Sequence, residues 1–340
     1  MSSATDLAFS TPRYGFNFQW MVWWEEGRIP APADERALDF MAKHGFNFVR
    51  IPTDYRFWTP NHQYLHPEEE VFEHVDRYLE ATRQRNMHLS FNIHRAPGYC
   101  INSNHLERHN LWLDRIAQDG FVSQWEMIAR RYKGVSSEWL SFDLVNEPPA
   151  IGDFDFTRDR HEALIRRTVS AIRAVDPDRA IVIDGLDGGN LAMPELADLG
   201  LTHSGRGYQP MTVSHYGANW WAPSSKFPLP TYPGCEWDGK IWDRDAIDEW
   251  YAPWRAVERL GTKIHIGEFG CHNKTSNEVA LKWFEDLFGL FCQYGWGYAL
   301  WGFEGAFGII GHDRPGTVYE QRDGYQVDRQ LLDLMLQSRA

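Results

Sequence analysis

The chain has 340 residues, 24% of them charged, and a formal net charge of −13. That length buries a large core without staples and suits one α/β barrel with elaborated loops. The acidic balance argues against nucleic acid and anionic membrane surfaces, which need basic patches, and no apolar run reaches the length of a membrane span.

The opening Met1-Ser2-Ser3-Ala4-Thr5-Asp6 has neither the basic stretch nor the apolar segment of a signal peptide. Cys100, Cys235, Cys271 and Cys292 are scattered, with no Cys-x-x-Cys pair. Both features predict a reduced, cytoplasmic protein; a trimmed leader and one bridge between loops would mark a secreted one.

Along the chain, short β-type runs alternate with amphipathic helical stretches, the pattern of parallel βα units. Eight strands are predicted, over 14–19, 46–52, 88–94, 140–146, 180–184, 211–215, 263–268 and 297–301. Pro67-Glu68-Glu69-Glu70 opens a helix whose Val71, Phe72, Val75, Tyr78 and Leu79 recur at helical spacing. Further helices are predicted over 163–175, 246–260, 278–294 and 328–338. Residues 217–245, rich in Pro, Gly and Trp, form the longest aperiodic segment, and loops of that length in compact domains tend to be functional. The expected fold is a closed (β/α)8 barrel, a single domain over 1–340.

Active sites of such barrels lie at the C-terminal ends of the strands. Six of the eight predicted strands end in chemically useful residues: Arg50, His94, Asn146 with Glu147, His215 with Tyr216, Glu268, and Trp301. Two carboxylates at a barrel mouth are what glycoside hydrolysis needs, one to protonate the leaving oxygen and one to attack the sugar carbon. Glu147, in an apolar run after an uncharged Asn, is placed to hold a proton by desolvation; Glu268 would be kept ionised by Arg50. The plainer reading of either carboxylate is an ion pair at the rim. Aromatic residues make up 15% of the chain. Trp20, Trp23, Trp24, Trp220, Trp221, Trp237 and Trp242 fall in turn-rich stretches, where flat faces suit sugar rings.

Val49-Arg50-Ile51-Pro52, Asn92-Ile93-His94, Leu144-Val145-Asn146-Glu147-Pro148, Ser214-His215-Tyr216, Ile266-Gly267-Glu268-Phe269-Gly270 and Ala299-Leu300-Trp301 together resemble glycoside hydrolase family 5, in that family's order. The resemblance implies a (β/α)8 barrel, retention of configuration, no metal or other cofactor, and a β-linked glucan, mannan or related substrate. It makes Glu147 the acid/base and Glu268 the nucleophile, with Asn146 on the sugar 2-hydroxyl and Trp301 as the floor of the reacting subsite. Arg50, His94, His215 and Tyr216 would surround that sugar. The family commonly shows His-x-Tyr at the sixth barrel strand, whereas His215 and Tyr216 are adjacent. Either Tyr216 supplies the hydroxyl from an altered strand end, or Ser214 stands where the His normally would. Trp24, Tyr99, Asn102, Trp221 and Glu304 are further candidates for sugar contacts, against simple loop packing.

Three rivals remain. His94, His215, His265 and Glu268 would be the ligands of a metal-dependent barrel hydrolase, although the strand parity of His265 turns it away from Glu268. A non-catalytic carbohydrate-binding barrel is the second, and a transglycosylase the third. The expected substrate is a β-1,4-linked glucan cut endo-fashion. The alternative is an exo-acting β-glucosidase or β-mannosidase on short oligosaccharides, its pocket closed by the 217–245 loop.

Overall fold

The computed structural model describes Phe9 and residues 11–339. Eight parallel strands close a barrel: β1 (Tyr14–Asn17), β2 (Phe48–Asp54), β3 (His88–Arg95), β4 (Leu140–Asp143), β5 (Ala180–Asp184), β6 (Thr202–Gly207), β9 (Lys263–Phe269) and β10 (Gly297–Leu300). Around the ring they run β1-β10-β9-β6-β5-β4-β3-β2. An antiparallel hairpin, β7 (Cys235–Trp237) with β8 (Lys240–Trp242), occupies the long loop after β6. A second hairpin, β11 (Tyr319–Arg322) with β12 (Tyr325–Asp328), precedes the last helix.

Every residue of the first six barrel strands and of β10 is buried, and alternation along each strand decides which layer a side chain joins. On β2, Val49 and Ile51 enter the core shared with the helices, whereas Phe48 packs inside the barrel with Phe9, Val182 and Ala299. His88 and His265 complete this floor, 5.0 and 5.5 Å from the Phe9 ring. Towards the C-terminal ends the interior turns polar: Arg50, one inward step above Phe48, is fully buried among carboxylates.

Seven of the eight predicted strands match, and the sixth does not. The segment 211–215 is not a strand: Met211–Ser214 is one helical turn after Pro210. The true sixth strand is Thr202–Gly207, whose Thr-His-Ser-Gly-Arg-Gly has one β-branched residue and two glycines, too weak a strand pattern to stand out. The parity argument for His265 also fails. Arg206 pairs with Glu268 and Gly205 with Ile266, which leaves Gly267 as an extra residue in β9. That bulge resets the alternation, so His265 and Glu268 both point inward, at opposite ends of the barrel.

The helices follow their caps. The proline-led stretch is a short 310 turn, Glu69–Val71, before the helix Phe72–Arg83. Asp243 caps Arg244–Trp250, and Pro253 begins a separate helix, Ala252–Glu258, which splits the helix expected over 246–260. All four cysteines are free thiols. Among the described residues no helix is long and apolar enough to cross a membrane.

Candidate active site

β4 ends at Asp143, and the chain continues through Leu144, Val145 and Asn146 to Glu147, whose φ of +47° lies in the left-handed region. That conformation costs about 1–3 kcal/mol for a non-glycine residue and persists only where neighbours over-determine it. Here the Glu147 N–H donates to Asp184 Oδ2 at 3.1 Å, and the Tyr99 hydroxyl donates to the Glu147 carbonyl at 2.5 Å. Gly188 N–H holds the next carbonyl, that of Pro148, at 3.0 Å. The side chain is thereby aimed across the mouth, 16% exposed.

Two buried guanidinium groups organise the carboxylates. Arg50 on β2 donates to Asp143 Oδ2 at 2.6 Å, to Glu268 Oε1 at 2.5 Å and to Asn146 Oδ1 at 3.0 Å. Arg206 on β6 donates to Glu147 Oε1 at 2.8 Å, to Glu268 Oε1 at 3.2 Å and to Asn146 Oδ1 at 3.0 Å, and grips both oxygens of Asp184. On the far oxygen of Glu268 the Tyr208 hydroxyl donates at 3.2 Å.

The charges differ by surroundings. Burial, then the neighbouring Glu268 carboxylate, pushes Glu147 up to about 7, so it holds a proton near neutrality. Burial likewise raises Asp143, to about 7, despite Arg50. Burial works against ionisation of Asp184 too, but Arg206 and Arg50 outweigh it and keep that carboxyl below its ordinary value. His94 is driven down to about 3 by burial and by Arg50 and Arg206, and is neutral. Its ring lies nearly parallel to that of half-buried Trp301, 5.7 Å away at 19°. Asn146 has its oxygen committed to two arginines and a buried amide nitrogen with no partner among the described residues.

A family model described as cellulase (glycosyl hydrolase family 5) matches residues 10–306. The chain belongs to glycosyl hydrolase family 5. It is 27% identical to endoglucanase C of Acetivibrio thermocellus over 84% of this chain and 88% of that one. It is 25% identical to cellodextrinase A of Ruminococcus flavefaciens, over 77% of this chain and 75% of the relative. A crystal structure described only as a glycoside hydrolase is 60% identical, with a TM-score of 0.96 over 97% of this chain and all of the other. An endoglucanase structure from Thermotoga maritima shares the fold at a TM-score of 0.76 and 22% identity, over 98% of each chain. The protein is therefore a family 5 glycoside hydrolase built on a (β/α)8 barrel.

Of the residues expected from sequence, Arg50, His94, Asn146, Glu147, Glu268 and Trp301 converge at one end of the barrel. Tyr216 does not supply the hydroxyl on Glu268: Tyr208, two residues beyond Arg206, does, and the Tyr216 carbonyl instead pairs with His272. Nor does Ser214 take a strand-end place; its hydroxyl holds the Tyr208 carbonyl. His215 stands behind Tyr208, ring edge to ring face at 5.0 Å. Tyr99 is fully buried and fixes the Glu147 backbone, so it cannot touch a sugar. Asn102 uses its carbonyl to hold Arg95, with its side chain at the surface. Trp221 packs in an aromatic knot with Phe227 and Trp237. Glu304 is exposed on the loop after β10.

Trp24 lies under the Arg56 guanidinium and lines a cavity of about 310 Å³ with Thr59, Asn61, His62 and Arg108. The histidines of the metal-centre rival are dispersed, with His265 on the barrel floor. Among the described residues no group of His, Cys, Asp or Glu side chains is arranged to hold a metal. Sequence reading missed Arg206, Tyr208, Asp143 and Asp184. The available signal was Arg206-Gly207-Tyr208 itself, which keeps the Tyr of the expected His-x-Tyr with Arg206 in the place of the His.

Proposed function

We propose that the protein hydrolyses β-1,4-linked glucan chains with retention, Glu147 acting as acid/base and Glu268 as nucleophile. The observation that carries this reading is the division of labour between two carboxylates facing one site. Glu147 is held protonated by burial, while Glu268 is clasped by two guanidinium groups and a phenol. In the first step Glu268 attacks the anomeric carbon as Glu147 gives its proton to the departing glycosidic oxygen. In the second, water attacks that carbon, Glu147 takes its proton, and the bond to Glu268 breaks. In this reading Asn146 binds the sugar 2-hydroxyl and Trp301 with His94 packs against the ring; its support is the unpartnered Asn146 amide nitrogen and the stacked pair of rings. An aromatic wall runs outward from Tyr208 through Phe307 to Trp220, which is 54% exposed and suits a further sugar.

A second reading, action on short oligosaccharides, rests on the long loop after β6. Asp238, at the turn of its hairpin, adds with Asp153, after burial, to the upward push on the Asp187 carboxyl. The hairpin tip thus lies near the loop beyond β5. The test is a hydrolysis screen of aryl β-glucoside, β-mannoside and β-cellobioside beside carboxymethylcellulose and glucomannan. Glu268→Gln is expected to abolish activity, and Glu147→Gln to cut it by about 10²–10⁴-fold on substrates with poor leaving groups. A rapid viscosity drop in the polymer supports endo action; monosaccharide release from short chains alone supports the second reading. Full activity in either variant overturns the assignment.

A further inference from the structure

Arg206 touches more of the site than any role in binding requires. It is fully buried and reaches Glu147 through Nε, Glu268 and Asn146 through Nη2, and Asp184 through both terminal nitrogens. The fold makes room for it on two sides. A Cβ on Gly189, whose φ is +84°, would lie 2.3 Å from Arg206 Cγ, and one on Gly267 would lie 3.2 Å from Nη1. Asp184 fixes the group in place, and the position two residues before Tyr208 is thus a permanent cation rather than the histidine expected there.

We propose that Arg206 is a positioning residue that works as a charge switch, shared by Glu147 and Glu268 in the resting enzyme and transferred to Glu147 once Glu268 is esterified. This rests on the assignment of those two carboxylates made above. In the free enzyme the guanidinium faces two claims, and Glu147 keeps its proton because of burial and the Glu268 charge. When Glu268 bonds to the anomeric carbon, its negative charge is consumed in the new C–O bond and the Glu147 proton leaves with the glycosidic oxygen. The only mobile charge left beside Arg206 is then the Glu147 carboxylate, which the guanidinium stabilises at 2.8 Å as the base for water. Water's proton returns to Glu147, the sugar–Glu268 bond breaks, and the shared arrangement is restored.

Other groups around Glu147 do not make that change. Asp184 on β5 stays paired with Arg206 throughout. Tyr99 after β3 and Tyr208 after β6 are held protonated by burial. His94 on β3 is neutral, and Arg50 on β2 and Asp143 on β4 are bonded to each other. Losing the Glu268 charge lowers the proton affinity of Glu147 in any such site; Arg206 adds a fixed cation in direct contact.

The test separates the two half-reactions. A 2,4-dinitrophenyl β-cellobioside needs no proton on its leaving group, so hydrolysis of the glycosyl-enzyme limits its turnover, whereas a phenyl β-cellobioside needs acid catalysis. The variants are Arg206→Lys, and Arg206→Gln combined with Asp184→Asn so that Asp184 does not lose the cation that grips both its oxygens. Wild type should give a burst of dinitrophenolate. The double variant should keep the burst but lose 10- to 100-fold in kcat on that substrate. The acid limb of its kcat profile should move at least one pH unit upward, because Glu147 must now give up its proton without the guanidinium. Azide, which attacks without a base, should restore turnover and yield the β-glycosyl azide. Lys, which keeps the charge but not the fork, should fall between the two, and it serves alone if the double variant does not fold.

Equal losses on both substrates, unmoved pH limbs and no azide rescue would overturn the proposal and leave Arg206 a structural brace. Absence of a burst in wild type, with no ester trapped on Glu268 by a 2-deoxy-2-fluoro glycoside, would overturn the retaining assignment and this inference with it.

Discussion

Tyr208 and Tyr216 lie eight residues apart, and only one of them reaches the proposed nucleophile. The Tyr208 hydroxyl, kept protonated by burial and by Glu268, donates to Glu268 Oε2 at 3.2 Å, whereas Tyr216 pairs through its carbonyl with His272. Tyr208→Phe should therefore lower kcat about 10-fold or more, since a charge-assisted hydrogen bond is worth roughly 1.5–3 kcal/mol. Tyr216→Phe should leave kcat within a factor of two. Steady-state kinetics on an aryl β-cellobioside checks both, and the reverse ranking would restore the strand expected at 211–215. At this scale the sequence carried the two glutamates, because each follows a recognisable β-type run. Asp143 and Asp184 were not legible. Their importance depends on which strand neighbours face them across the barrel interior, and a single chain order does not display that.

Among the elements, β9 illustrates how one residue decides a site. Strict alternation would turn Glu268 out of the barrel if His265 points in; the extra Gly267 lets both face inward. Gly267 also lies tight against β6: an added Cβ would sit 2.3 Å from Ser204 Oγ and 3.2 Å from Arg206 Nη1. Gly267→Ala is expected to destabilise the fold by about 1–3 kcal/mol, the usual cost of overpacking, and to lower kcat at least 10-fold by displacing Arg206. Thermal unfolding beside kcat tests this, and an unchanged Tm with unchanged kcat would remove the bulge from the account. Strands rich in Val, Ile and Phe, such as β2 and β5, were readable from composition alone. β6 was hidden because its side chains serve the site: Ser204 and Arg206 are polar and buried, and Gly205 and Gly207 pack against Trp254 and Phe269. The helix Arg115–Arg131 also went unread. The barrel as a whole was still legible, since losing one strand to a neighbouring segment leaves the count and order of βα units intact.

Over the whole molecule, buried histidines set the response to acid. Burial drives His88, His94, His161, His215 and His265 down to about 3 and His203 to about 4. Each is neutral in the folded chain and takes up a proton on unfolding once the pH falls below its ordinary value of about 6.5. Folding free energy is therefore lost progressively from about pH 6.5 downward. Glu147 and Asp143, raised to about 7, act in the opposite sense, because the folded chain holds protons there that the unfolded chain has released above about pH 4.5. Of these eight groups six favour the unfolded chain near pH 5.5 and two the folded one, and burial lowers His62, His74, His272 and His312 in the same sense as the six. With full occupancy the net slope approaches about 5 kcal/mol per pH unit. Urea midpoints should accordingly fall steeply between pH 6.5 and 5, above the range where ordinary carboxylates titrate.

His161 and His203 give the cleanest control, because they neighbour each other outside the catalytic cluster and neither ring nitrogen of His161 has a partner among the described residues. Replacing both with Leu should flatten the slope by about 2.7 kcal/mol per pH unit, the contribution of two protons. Activity on an aryl glycoside at pH 7 reports whether the barrel stays intact. Wild type and the double variant losing stability in parallel would remove His161 and His203 from the acid response.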